Sequence, residues 1–116
     1  MAWDDASQPI VASAARTTTG NSGFLPAPKA LNLALWANVT AVSGTTPSMA
    51  LSVEWSFDGA TAATIDGTAD TFTAITAAGS PTKVFTTKAP FFRVTWTITG
   101  TTPSFTFALS RYGIGS

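Results

Sequence analysis

Hydrophobic and polar residues alternate along most of this chain, and the same five residues interrupt the alternation twice. The phrase Gly-Thr-Thr-Pro-Ser occupies residues 44–48 and again residues 100–104. An alternation with a period of two, before and after each copy, is typical of strands with one buried face. The predicted inward residues are Leu31, Leu33, Leu35, Val39, Met49, Leu51, Val53, Trp55 and Phe57 in the first unit, and Phe92, Val94, Trp96, Ile98, Phe105, Phe107 and Leu109 in the second. Each unit therefore predicts a long β-hairpin whose loop is the repeated phrase.

The other segments predict shorter strands separated by turns. These strands are predicted at residues 10–17, 61–65, 71–76 and 83–87. Asp-Gly pairs at 58–59 and 66–67 supply the turn residues. No window has a convincing helical period, and the abundance of Thr favours strands over helices. The predicted fold class is all-β, an antiparallel two-sheet sandwich of about eight strands, with a jelly roll as one form of it.

The predicted organisation is a single domain with short extensions. Residues 1–8 form an N-terminal arm, residues 9–112 form the β-sandwich domain, and residues 113–116 form a C-terminal tail. Trp3 is the only large apolar residue of the arm, so it is either incidental or an anchor that docks on a neighbour. The two hairpins either descend from an internal repeat or merely use the same loop twice.

Composition narrows the function classes. Hydrophobic residues make up 45% of the 116 residues, charged residues only 10%, and the formal net charge is zero. Ordinary soluble domains carry roughly 25% charged residues. A surface with so little charge lacks the self-repulsion that keeps monomers apart. Such a chain is either a small soluble domain rich in Thr, Ser and Ala or, as we favour, a protein that works docked in an assembly.

Several classes of partner and compartment are not expected. The six Lys and Arg residues are scattered singly, whereas nucleic-acid binding needs clustered cations. The chain has no cysteine, so no disulfide framework is expected. The acidic N-terminus does not resemble a signal peptide, and no apolar stretch is long enough to predict a membrane helix. We therefore expect synthesis in a cytoplasm and no membrane partner.

The residues offer little for catalysis or metal binding. Histidine and cysteine are absent, so the commonest general base and the thiol nucleophile are missing. Glu54 is the only glutamate, and its pairing with Asp58 is most simply a solvated strand and a turn. Asp58, Asp66 and Asp70 lie in one loop-rich stretch that suits either turns or a hard cation, without an EF-hand spacing. The prediction is a protein that is not an enzyme and has no cofactor and no metal.

Aromatic residues out of phase with the core are the best binding candidates. Trp36, Phe91 and Tyr112 fall on the outward parity of their predicted strands. An outward aromatic residue can anchor a protein interface or stack on a sugar ring, unless a bulge reverses the phase and buries it. For Trp36 we favour a subunit interface, because few polar side chains lie near it in the sequence. With Trp3 and Ile114 in the two extensions, these are the five predicted interface residues.

Two stretches carry a resemblance to a known class. Residues 40–48 followed by Val-Glu-Trp-Ser-Phe-Asp-Gly at 53–59, and residues 88–105 with Phe-Phe-Arg-Val-Thr-Trp at 91–96, resemble small all-β virion proteins of tailed bacteriophages. The likeness covers roughly residues 30–110. It implies a virion location and a capsid decoration or cement protein, which binds the outer surface of the head and stabilises contacts between major capsid subunits.

The resemblance also implies partners and alternatives. Such proteins bind the major capsid protein and often form trimers, and the Trp3 arm and the Ile114 tail are the elements expected to reach neighbouring subunits. Another virion part, such as a tail, head–tail or fibre protein, is an alternative role. An alternative of a different class is a carbohydrate-binding or adhesin-like module in which Trp36 and Trp55 stack on sugars.

Overall fold

A computed structural model describes residues 8–27, 32–63, 65 and 70–114. The described residues are almost entirely β-structure, without an α-helix, and all strand pairs are antiparallel. The strands are β1 (Gln8–Arg16), β2 (Gly20–Asn21), β3 (Leu25–Pro26), β4 (Asn32–Ser56), β5 (Ala62–Ala63), β6 (Asp70–Thr71), β7 (Thr82–Thr86) and β8 (Phe91–Ile114). The all-β, antiparallel part of the fold prediction is therefore confirmed.

The two longest strands, β4 and β8, pair with each other along their whole length. Asn32 lies opposite Ile114 at one end of this ladder, and Ser56 lies opposite Phe91 at the other. The prediction of two long hairpins is therefore wrong, because the strand segments on either side of each repeated phrase do not pair with each other. Each phrase passes through its strand as an irregularity, and Thr45 lies opposite Thr101.

The two phrases cross at close range with matching backbone geometry. Gly44 and Gly100 have φ angles of 111° and 124°, and Thr46 and Thr102 have φ angles of 49° and 46°. A Cβ atom on Gly44 would lie 2.7 Å from the carbonyl oxygen of Thr102, and one on Gly100 would lie 2.9 Å from that of Thr46. Glycine is required at both positions by its φ angle and by the approach of the other phrase. This reciprocity gives the crossing a local two-fold symmetry.

The crossing divides the sheet into two half-sheets. The first half-sheet contains residues 32–43 of β4 and 104–114 of β8, with β1 beside β8 and β7 beside β4. The second contains residues 48–56 of β4 and 91–99 of β8, with β2 and β3 beside β8 and β5 and β6 beside β4. The two arrangements correspond when β4 of one half-sheet is matched with β8 of the other. β1 then corresponds to β5 and β6, and β7 corresponds to β2 and β3. This correspondence favours an internal repeat over mere reuse of a loop.

One hydrophobic core is built from inward residues of both half-sheets. The predicted inward residues that are buried are Leu33, Leu35, Val39, Met49, Leu51, Val53, Trp55, Phe92, Val94, Trp96, Phe105, Phe107 and Leu109. Rings from different half-sheets meet in this core. The centroids of Trp96 and Phe107 are 5.4 Å apart, and those of Phe72 and Phe85 are 5.9 Å apart.

The end of β4 departs from the predicted alternation. Phe57, predicted to point inward, is 62% exposed, whereas Ser56 is fully buried. The Ser56 hydroxyl donates to Asp58 at 2.9 Å and accepts from the Gly59 N–H at 2.9 Å, so the turn begins there and reverses the phase. Gln8, predicted as the last residue of the arm, belongs to β1, and Gly113 and Ile114, predicted in the tail, belong to β8. Leu31 lies outside the described residues.

Candidate functional site

Trp36 lies on the outer face of the first half-sheet, as its phase predicts. It is half-buried and stands in β4 directly between Ser110 of β8 and Thr82 of β7. Ala34 and Asn38 are its nearest neighbours on the same face of β4, since alternate residues of a strand share a face. The strand pairing thus places two hydroxyl residues and one amide residue around Trp36. Asn38 shares the outward parity of Trp36 in the sequence, whereas Ser110 and Thr82 become its neighbours only through the pairing.

Tyr112 lies on the same outer face, one row away from Trp36. It is opposite Ala34 of β4, which is opposite Val84 of β7 on its other side. Tyr112 is half-buried, Ala34 is buried, and Val84 is 54% exposed. We call the three rows together the Trp36 face, made of Ala34, Trp36, Asn38, Thr82, Val84, Ala108, Ser110 and Tyr112. None of these eight positions carries a charged side chain.

The outer face of the second half-sheet is the symmetry-related counterpart and has different chemistry. The pair that corresponds to Trp36 and Ser110 is Arg93 and Glu54, which form an ion pair with a nitrogen–oxygen distance of 2.6 Å. The guanidinium of Arg93 also lies 4.5 Å from the ring centroid of Phe24. In the next row the hydroxyls of Ser52 and Thr95 are hydrogen-bonded at 2.6 Å. This face therefore satisfies its polar groups internally, while the Trp36 face has no ion pair.

A second candidate surface is the end of the molecule where the chain enters and leaves the sheet. Gln8, the first described residue, is paired with Arg111, and Ile114, the last, is paired with Asn32. Arg111 Nη1 donates to the carbonyl oxygen of Pro26, which belongs to the second half-sheet. That hydrogen bond brings the outer ends of both half-sheets together. We call this surface the terminal end.

Two aromatic residues of the second half-sheet complete the terminal end. Phe91 pairs with Ser56 at the end of β4, and Phe57 follows directly with 62% of its surface exposed. Gly59 lets the turn approach Phe91, because a Cβ there would lie 3.3 Å from the ring. The opposite end of the molecule carries the crossing and exposes Thr45, Thr46, Thr101 and Thr102. The terminal end thus exposes the aromatic side chain of Phe57, whereas the opposite end exposes four threonine residues.

The five predicted interface residues do not form one cluster. Trp36 and Tyr112 share the Trp36 face, while Phe91 lies at the terminal end. The backbone of Ile114 also lies at the terminal end, paired with Asn32. Trp3 lies outside the described residues. Sequence reasoning missed Phe57 as a surface residue, because the alternation continues through it in the sequence; the only available signal was the Asp-Gly turn that follows.

Trp55 is excluded as an exposed sugar-stacking residue. It is 2% exposed, and its Nε1 donates to Asp70 at 2.7 Å. Lys88 pairs with the same carboxylate at 2.9 Å. This carboxylate is therefore committed to a structural contact that joins β4, β6 and the segment before β8.

The acidic residues of the predicted loop-rich stretch are used separately. Asp58 accepts hydrogen bonds from the backbone N–H groups of Ala60 and Thr61, both at 2.8 Å. These bonds, that of Thr61 first, and the one from the Ser56 hydroxyl lower the pKa of Asp58 to about 2. Asp66 lies outside the described residues. Among the residues that the structure describes, no group of three or more potential metal ligands comes together.

Comparisons with known proteins do not identify a family. Neither a scan against protein-family models nor searches of curated proteins and of solved structures found a match to this chain. Within the described part of the chain, no helix has the length and apolarity needed to span a membrane.

Proposed function

We propose that this chain is a bacteriophage virion protein of the capsid decoration or cement type. It binds the major capsid protein on the outside of the head and stabilises contacts between capsid subunits. The observation that supports this proposal best is Phe57 at the terminal end, a large aromatic side chain that is 62% exposed. An exposed aromatic side chain is suited to anchoring the chain on another protein surface.

The low charge of the chain supports the same role. A shell carries many copies of its decoration protein side by side, and a formal net charge of zero avoids repulsion between them. Modest contacts are sufficient because each copy that engages several capsid subunits gains strength from multivalency. The absence of histidine and cysteine fits a binding role better than a catalytic one.

We further propose that the two half-sheets form a two-layer sandwich that acts as a rigid spacer. Support comes from the contacts between half-sheets, Trp96 with Phe107 and Phe72 with Phe85. The shortest dimension of the molecule is 20 Å, which fits two sheets packed about 10 Å apart with side chains on both outer faces. Each layer then consists of one half-sheet, and β4 and β8 run through both.

The experiment is a co-sedimentation assay of the purified chain with expanded, undecorated phage capsids. We expect the full chain to sediment with capsids, and we expect Phe57→Arg and deletion of residues 1–7 to weaken binding without lowering the melting temperature. Thr45→Arg, at the opposite end of the molecule, is the matched control and should bind normally. Sedimentation of the free chain gives its oligomeric state, for which the resemblance suggests a trimer.

The possible outcomes test the decoration role and the choice of the terminal end as docking surface separately. If the full chain does not bind capsids, the decoration role is wrong. If it binds, and Thr45→Arg abolishes binding while Phe57→Arg does not, the role stands and the terminal end is the wrong docking surface.

A further inference from the structure

The Trp36 face has a composition that neither the core nor the terminal end requires. Its indole is half-buried in the middle of a half-sheet, with Ser110 on one side and Thr82 on the other. Directly opposed residues of antiparallel strands have Cβ atoms about 4.5–5.5 Å apart, and alternate residues of a strand lie about 7 Å apart. Ser110, Thr82 and Asn38 therefore lie on three sides of Trp36, at distances that the hydroxyl groups of a sugar ring placed over Trp36 can reach.

We propose that the Trp36 face binds an uncharged saccharide, with a pyranose ring lying on the indole of Trp36. The apolar C–H groups of a sugar ring pack on an aromatic ring, while its hydroxyls need donors and acceptors at the edge. Ser110 and Thr82 supply one hydroxyl each, and Asn38 supplies both a donor and an acceptor. Tyr112 and Val84, one row away, extend the apolar floor toward the next sugar residue.

The charge distribution determines which class of saccharide fits. The eight positions of the face contain no acidic or basic side chain. A sulfated or uronic-acid sugar would bring a negative charge to this surface without a cation there to pair with it. A neutral saccharide loses nothing by the absence of charge. On the symmetry-related face the Arg93–Glu54 ion pair takes the place of the Trp36–Ser110 pair, so the second half-sheet does not offer the same platform.

This inference does not depend on capsid docking, because Trp36 lies on the outer face of the first half-sheet, whereas the aromatic residues Phe57 and Phe91 of the terminal end belong to the second. A chain that docks by its terminal end would keep this face available on the side of the sandwich. A neutral cell-surface or environmental polysaccharide could then be bound by the decorated particle. The isolated chain would bind the same saccharide without any capsid.

The experiment is a calorimetric titration of the purified full chain with a panel of neutral gluco-, galacto- and manno-oligosaccharides. We expect saturable binding of at least one neutral oligosaccharide, and a loss of affinity of tenfold or more, about 1.4 kcal/mol, for Trp36→Ala. Asn38→Ala and Ser110→Ala should each weaken binding with Trp36 still in place. Arg93→Ala, at the symmetry-related position, is the matched control and should bind like the wild type.

Two results would overturn the proposal. The first is no binding to any neutral oligosaccharide, and the second is equal affinity in a folded Trp36→Ala variant. If that variant also loses capsid binding, the face is a protein interface. Melting curves of each variant establish that it is folded before titration, and the Asn38 and Ser110 variants keep the test decisive if Trp36→Ala is unstable.

Discussion

The side chain of Arg16 occupies the place where β1 departs from regular pairing. The register of β1 against β8 shifts twice, between Pro9 and Val11 and between Val11 and Ala14. The guanidinium of Arg16 donates to the carbonyl oxygens of Ala12 at 2.9 Å, Ala14 at 3.1 Å and Phe107 at 2.7 Å. It therefore satisfies acceptors that the irregular ladder leaves open, and makes the edge a poor template for another strand.

Arg16 also contacts the core rings. Its guanidinium carbon lies 4.4 Å from the ring centroid of Phe107 and 5.2 Å from that of Trp96. Partial burial lowers the pKa of Arg16, although an arginine stays charged at neutral pH. The same group thus combines hydrogen bonding at the sheet edge with stacking on aromatic rings.

We expect Arg16→Lys to destabilise the fold by about 1–2 kcal/mol. The ammonium group of lysine cannot reproduce the hydrogen bonds that the planar guanidinium donates to three carbonyl oxygens. Urea denaturation of both proteins measures the difference. Arg93→Lys is the control, since the side chains of Arg93 and Glu54 are 27% and 37% exposed and ion pairs near the surface contribute only about 0–1 kcal/mol. Equal losses for the two variants would show that the hydrogen bonds of Arg16 add little.

Asp58 makes the stability depend on pH at the turn after β4. Its pKa is about 2 in the folded protein, below the ordinary value of 3.8. A lowered folded-state pKa means that the carboxylate stabilises the fold above the ordinary value, and that this contribution is lost as pH falls through about 2. Asp58→Ala should therefore lower the melting temperature most at neutral pH.

The difference in melting temperature between wild type and Asp58→Ala should shrink between about pH 4 and about pH 2. Asp58→Asn keeps a carbonyl acceptor without the charge, so its deficit should be smaller than that of the alanine variant. Melting curves recorded across this range test both statements. A deficit that is constant with pH would contradict the assignment of the charge to this turn.

At the scale of elements, the crossing of β4 and β8 determines how the strands are arranged. Gly44 and Gly100 each sit against the backbone of the other phrase, with positive φ angles. We expect Gly44→Ala and Gly100→Ala each to cost at least about 1–3 kcal/mol, from backbone strain and from displacement of the opposing chain. The midpoint of chemical denaturation measures the loss.

Gly79 offers a matched control for these two glycines. A Cβ at Gly79 would have no atom within 4 Å, so Gly79→Ala should leave stability nearly unchanged. Because Gly44 and Gly100 lie in one crossing, the double variant should lose a different amount from the sum of the single losses. Additive losses would indicate that the two phrases act independently.

The strands could be predicted from the sequence, but their partners could not. Alternation determines which face of a strand is buried, and Met49, Leu51 and Val53 are buried as predicted. It does not determine the neighbouring strand, because any strand with a matching apolar face satisfies the same pattern. Gly-Thr-Thr-Pro-Ser has the composition of a loop, so a hairpin is the simplest prediction from the sequence, yet both copies continue through their strands.

The candidate binding surfaces could be predicted only in part, for the same reason. The phase of Trp36 predicts its outward position. Its polar neighbours Ser110 and Thr82 come from β8 and β7, so they depend on the pairing that the sequence leaves open. Phe57 follows the alternation in the sequence but lies beyond the point at which Ser56 turns inward to hold the Asp58 turn.

At the scale of the whole molecule, the two half-sheets depend on one core. Each half-sheet has one apolar face that needs to be buried. The inward residues of both half-sheets are buried together in a single cluster. Trp96 of the second half-sheet is 6% exposed and meets Phe107 of the first in an edge-to-face arrangement at 77°. The two copies of the repeat should therefore unfold together, although each carries its own set of strands.

Trp96→Ala tests this dependence, because the residue belongs to one half-sheet and its ring contacts the other. We expect a loss of about 3–5 kcal/mol, a large share of the about 5–15 kcal/mol that stabilises a typical domain. Hydrogen exchange should show reduced protection in residues 32–39 of the first half-sheet as well as in 49–56 of the second. Trp36→Ala, on the outer face, should cost clearly less and serves as the control. If the two half-sheets share one core, loss of the Trp96 ring lowers the protection of both. Reduced protection confined to the second half-sheet would therefore mean that the two repeats are stable separately.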